Sequence, residues 1–114
     1  MKIVKEKIEM RISEDFKIRW CKFSFEEQMA NIGADIGRAM IWAKKDERLS
    51  KVYLATGLEL LTLTMGDLRN KSKAHELDRL RRELIDSFSG NEVKKNWDEY
   101  FYPYNVVATA KYFK

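Results

Sequence analysis

Apolar side chains recur at spacings of 4, 3, 4 and 3 through Leu54, Leu58, Leu61, Met65 and Leu68, and Glu59 is the one charge between Val52 and Gly66. That period puts the five side chains on one helical face, while Tyr53, Gly57, Leu60 and Thr64 make a second face nearly as apolar. A helix apolar around most of its circumference needs neighbours on more than one side. The pattern therefore predicts a central helix from about Leu49 to Asn70, capped by Asp46 or Ser50, against which the rest of a helical domain packs.

The flanking segments keep the same period. Ser24 with Glu27 forms a Ser-x-x-Glu capping box, in which each side chain satisfies a free backbone N–H, so a helix starts at Phe25. Its stripe is Phe25, Met29, Ile32, Ile36, Ala39 or Met40, and Ala43, up to the break at Lys44-Lys45-Asp46. Gly33 and Gly37 lie four apart beside Ala30, a ridge of small residues that lets another helix come close. Ser72 is placed to cap a third helix with the inner stripe Leu77, Leu80, Leu84, Ile85 and Phe88, ended by Ser89-Gly90-Asn91. Its outer face carries Asp78/Arg82, Arg79/Glu83 and Arg82/Asp86 at spacing four. In the last segment Trp97, Phe101, Tyr104 and Val107 or Ala108 keep helical spacing, and Pro103, which lacks an N–H, predicts a kink or a split there.

Residues 1–23 alternate instead. Val4, Glu6, Ile8, Met10 and Ile12 share one face of a strand; after Ser13-Glu14-Asp15, Phe16, Ile18 and Trp20 alternate with Lys17, Arg19 and Cys21. This predicts a β-hairpin, with a short helix through Val4, Ile8 and Ile12 as the competing reading. The expected fold is mainly α, a three- to four-helix bundle over residues 24–114 with the N-terminal β-hairpin as its extension, in a single domain of residues 1–114.

Composition narrows the class. At 114 residues, 45% hydrophobic and 35% charged, with one Pro and five Gly, the chain suits one core with short loops. One Cys and one His supply no zinc set and no internal disulfide, so no metal or cofactor is expected and Cys21 reads as structural. The N-terminus lacks a continuous apolar run, and the Val52 to Gly66 stretch falls short of the roughly 20 residues that span a bilayer. A cytoplasmic protein with no membrane contact is the expectation. The net charge of +4 is concentrated in residues 1–22, with seven basic against four acidic residues, and is interleaved with acids. Such a surface is weak support for nucleic-acid binding.

Three constellations carry candidate chemistry. Asp35 and Glu59 interrupt otherwise apolar helices, where a structural pairing with Arg38 or Arg69 accounts for them better than a metal site. The C-terminal segment concentrates Trp97, Tyr100, Tyr102 and Tyr104; helical spacing suits Trp97, Phe101 and Tyr104 to the core, while as a set the four rings, large apolar bodies with polar tips, suit a protein interface. Finally, Arg69-Asn70-Lys71-Ser72-Lys73-Ala74-His75 places a His six positions after an Arg.

Two resemblances accompany these residues. Phe25-Glu26-Glu27-Gln28-Met29-Ala30-Asn31-Ile32-Gly33, Arg38-Ala39-x-x-Trp42, Leu58-Glu59-Leu60-Leu61-x-Leu63-Thr64, Arg82-Glu83-Leu84 and Trp97-x-x-Tyr100-Phe101-Tyr102-x-x-Asn105 resemble a family of short uncharacterised prokaryotic helical proteins, in the same order. The resemblance covers residues 25–110 and brings no activity with it. The Arg69 to His75 segment resembles the R-x4–6-H motif of HEPN proteins, helical bundles that pair with nucleotidyltransferases or cut RNA. That resemblance implies Arg69 holding a phosphate and His75 acting as acid or base, in a dimer. The expected function is a small cytoplasmic interaction module working through protein–protein contacts, with itself or another protein, at Trp97, Tyr100, Tyr102 and Tyr104. The alternative is a HEPN-like RNA-processing or nucleotidyltransferase-partner protein using Arg69 and His75.

Overall fold

The hydroxyl of Ser24 accepts a hydrogen bond from the Glu27 N–H at 3.1 Å, and the Glu27 carboxylate accepts one from the Ser24 N–H at 3.0 Å. The expected capping box thus forms and fixes the start of the longest early helix. A computed structural model describes residues 13–90 and 92–110. In chain order they form α1 (Glu14–Trp20), α2 (Phe25–Trp42), α3 (Glu47–Gly66), a 3₁₀ helix (Leu68–Lys73), α4 (Ala74–Ser87) and α5 (Trp97–Ala110). The mainly α expectation holds: among the described residues four α-helices follow Ser24, within the three to four expected there, and a fifth, α1, stands where a hairpin was expected.

The predicted β-hairpin does not form, and no strand occurs among the described residues. Its second strand, Phe16 to Trp20, is part of α1, and its turn is the start of that helix. Ser13 accepts a hydrogen bond from the Phe16 N–H at 3.1 Å, acidic Glu14 and Asp15 occupy the first turn, and Lys17 and Arg19 the last. Cap and charges all favour the helix dipole. Phe16 and Trp20 satisfy a period of two and a spacing of four equally, so the cap and the end charges decide for the helix, at the cost of leaving Ile18 58% exposed. The expected first strand, residues 4–12, lies outside the described residues.

The element on which others pack is α2, which contacts both α3 and α5. It buries Met29, Ile32, Ile36 and Ala39 completely, along the stripe read from the sequence. The helix α3 buries Gly57, Leu60, Leu61 and Thr64, chiefly the second of its two predicted faces, and Gly57 lies against Ile36 of α2. Of the first face Leu61 is fully buried, Leu54, Leu58 and Met65 are half-buried, and Leu68, at 86% exposure, lies beyond the helix end. The helix α5 runs through Pro103 as one element, so of the expected kink or split the split does not occur. Its Phe101 lies against Gly33: a Cβ at that glycine would fall 2.6 Å from Phe101 Cβ. Cys21, expected to be structural, is exposed at the end of α1.

Candidate functional site

Asp67 leaves the helical conformation directly after α3, and its carboxylate caps the 3₁₀ helix by accepting from the Arg69 N–H at 3.0 Å. The same carboxylate receives the Arg69 side chain, Nη2 to Oδ2 at 2.7 Å and Nε to Oδ1 at 3.1 Å. Arg69 Nη2 also donates to the Phe23 carbonyl at 2.8 Å. Deeper in, Gln28 Nε2 donates to Asp67 Oδ2 at 3.2 Å and to the Trp20 carbonyl at 3.0 Å. Asn70 Nδ2 donates to Gln28 Oε1 and to the Thr64 carbonyl, each at 3.0 Å, and Trp20 Nε1 donates to Thr64 Oγ1 at 3.1 Å. One polar network thereby ties α1, α2, the end of α3 and the 3₁₀ helix. Among the described residues no buried side-chain nitrogen or oxygen lacks a partner. A satisfied network of this kind holds one arrangement of the chain, since any shift leaves a desolvated group unpaired.

The Arg69 hydrogen bonds hold the Asp67 carboxyl down at about 2, below its ordinary 3.8, with burial opposing them. The same pairing pushes the Arg69 guanidinium up. A carboxyl whose value is depressed in the folded state stabilises the fold above its unfolded value, and that contribution disappears as pH falls through the folded value. Asp67 is therefore expected to contribute about 1–2 kcal/mol near neutrality, trimmed by the solvent exposure of Arg69, and lost between about pH 4 and pH 2. Denaturant melts across that range should show the loss in wild-type protein and a flatter acid limb in Asp67→Asn. Equal acid limbs would contradict the assignment.

Arg69 is thus committed to Asp67 and to the Phe23 carbonyl, while His75 stands exposed in the first turn of α4. The sequence motif that joins them is split by the structure between a 3₁₀ helix and the following α-helix. Of the pairings expected for Asp35 and Glu59, with Arg38 or Arg69, Asp35 makes the one with Arg38, at 3.0 Å one turn along α2, while Arg69 takes Asp67; both Asp35 and Glu59 line a groove of about 460 Å³ whose other wall is Phe16, Trp20 and Phe23. Among the described residues no group of three or more His, Cys, Asp or Glu is placed to hold a metal ion.

The four aromatic residues expected at an interface separate. Trp97, at 1% exposure, is core, and its Nε1 donates to Ser87 Oγ at 2.8 Å. Tyr100 and Tyr104 are half-buried, in edge contact with Trp97 and Phe25 respectively, and burial pushes both hydroxyls up. Tyr102, at 66% exposure, faces out. It is joined there by Val106, one turn on, and by Val107, both exposed and absent from the sequence-based set. The signal that marks them is the lack of any charged residue from Tyr100 to Ala110 in a chain that is 35% charged. An α-helix that packs one face on α2 and presents an uncharged outer face is an unusual surface for a monomer.

Among the described residues no helix is long and apolar enough to cross a membrane. Neither a family model, nor a curated protein, nor a solved structure matches the chain.

Proposed function

We propose that the protein is a small helical interaction module whose outward α5 face, Tyr102, Val106 and Val107, joins two copies of the chain. The observation that carries this reading is the uncharged run from Tyr100 to Ala110 on an exposed helix. In a two-fold contact the same patch meets itself, so a face of one charge sign would repel itself, and this face carries no charge to do so. Apolar exposed area of this kind also contributes association energy at about 25 cal/mol per Å² before the costs of ordering are met.

Supporting this reading over phosphate chemistry at Arg69 and His75 is the occupation of Arg69, whose fork already holds a carboxylate. A guanidinium engaged in this way has to abandon a partly buried acid to reach a phosphate. Sedimentation equilibrium of the wild-type protein is expected to show a concentration-dependent dimer. Val106→Asp should weaken that dimer by at least about tenfold, because it places two carboxylates at the joint, while His75→Ala leaves it unchanged. A wild-type chain that stays monomeric at every concentration would sink the proposal. So would metal-independent RNA cleavage by the wild-type protein that is lost in His75→Ala.

A further inference from the structure

A second surface, away from the residues used above, lies where the end of α2 meets the loop before α5. Two hollows of about 450 and 300 Å³ adjoin there and share Met40, Ile41 and Val93. Ile41 stands 61% exposed on that shared seam, whereas the other isoleucines of the helix, Ile32 and Ile36, are fully buried. One hollow carries Lys44 and Lys45, the other Lys94 and Lys95, so an apolar seam runs between two pairs of exposed ammonium groups. The acids on the same lining are Glu92 and Asp98, which leaves the surface with a basic excess.

Two of the lysines are held in place by rings. Lys95 Nζ lies 4.5 Å from the Trp97 ring centroid and 3.8 Å from Glu83, and Lys45 Nζ lies 5.9 Å from the Trp42 ring. Neither hollow is lined by an aromatic ring on which a nucleobase could stack. What the seam offers is a strip for aliphatic side chains with positive charge along both sides.

We propose that this surface receives an amphipathic acidic segment of another protein, its aliphatic stripe on Ile41 and Val93 and its carboxylates toward Lys44, Lys45 and Lys94. Charge complementarity selects this occupant. A second copy meeting this surface with its own would set lysines against lysines, and a nucleic acid has phosphates for the lysines but nothing for the aliphatic strip. Because the lysines are exposed, the attraction should weaken with salt while the aliphatic contact persists.

The test is fluorescence anisotropy with a labelled helical peptide of about 15 residues carrying Leu at i, i+3, i+4 and i+7 flanked by Glu, beside the same peptide with Lys for Glu. The acidic peptide is expected to bind about tenfold or more tighter than the basic one, with affinity falling as salt is raised. Ile41→Ser and the pair Lys44→Glu with Lys94→Glu should each weaken it by about tenfold, and as surface changes they should leave the thermal melt in place. Failure of the acidic peptide to bind, equal binding of both peptides, or binding indifferent to Ile41→Ser would overturn the proposal. Displacement of the peptide by single-stranded oligouridylate whose own affinity ignores Ile41→Ser would overturn it in favour of a phosphate-binding surface.

Discussion

Gly33→Ala is expected to destabilise the protein by about 2–3 kcal/mol, although alanine is the better helix former by about 1 kcal/mol. The sign follows from what the new methyl meets. An added Cβ would lie 2.6 Å from both Cβ and Cγ of Phe101, atoms fixed close to the α5 backbone, so that α2 and α5 must separate. Separation loosens Phe101, itself among the largest fully buried side chains. Gly37→Ala, one turn on, is the control. Its Cβ would meet only the Asp98 Oδ1 at 3.3 Å, the free end of an exposed side chain, so propensity should prevail and stability rise by up to about 1 kcal/mol. Urea melts of the two variants should therefore move in opposite directions, and a Gly33→Ala protein as stable as wild type would remove the close α2–α5 contact.

Leu61→Ala is expected to cost about 2–5 kcal/mol, the range for truncating a buried leucine when its surroundings relax only in part. Relaxation is limited at this position. One turn before it, a Cβ on Gly57 would come within 2.8 Å of Ile36 Cδ1, so α3 already sits hard against α2 and cannot settle further into the void. Leu68→Ala is the matched comparison on the same sequence stripe, and at 86% exposure it should change stability by no more than about 0.5 kcal/mol. A denaturant-measured loss below about 1 kcal/mol for Leu61→Ala would contradict its place in the core.

Those two variants also mark how far the sequence could be read. The ridge of Gly33 and Gly37 announced a close helix contact, and Gly33 makes one with Phe101. The capping box at Ser24 was legible to the residue because both halves of it are local. Asp46, one of two caps considered for α3, accepts from the Leu49 N–H at 3.1 Å. What failed was non-local or short. The stripe from Leu54 to Leu68 has flawless period, yet α3 ends at Gly66, where Asp67 finds Arg69 and Gln28 as partners and leaves the helix to reach them. Nothing in the spacing of a helix reveals a hydrogen bond from a glutamine 39 residues away.

The α1 segment failed for a different reason. Seven residues are too few to separate a period of two from one of 3.6, and Ser13 followed by Glu14 and Asp15 suits a turn as well as a helix start. For the candidate site, aromatic identity proved a poor guide to exposure. Helical spacing suits Trp97 to the core it occupies, but chemistry counts it and the half-buried Tyr100 toward an interface, whereas the absence of charge around Val106 and Val107, a feature of the backdrop more than of any residue, marks the face that stays open.

The polar network at Asp67 has a consequence for how the molecule comes apart. A helix of seven residues has no stability of its own in water, and α1 buries a single residue, Trp20. Its attachment runs through the Trp20 indole to Thr64 and through the Trp20 carbonyl to Gln28, with Arg69 gripping the Phe23 carbonyl just beyond. These bonds are few, and the aliphatic contact of α2 with α3 does not pass through them. Protection of amide protons should therefore come in two tiers, with α1 exchanging through a local opening that leaves the bundle closed and α2 exchanging only when the whole chain unfolds.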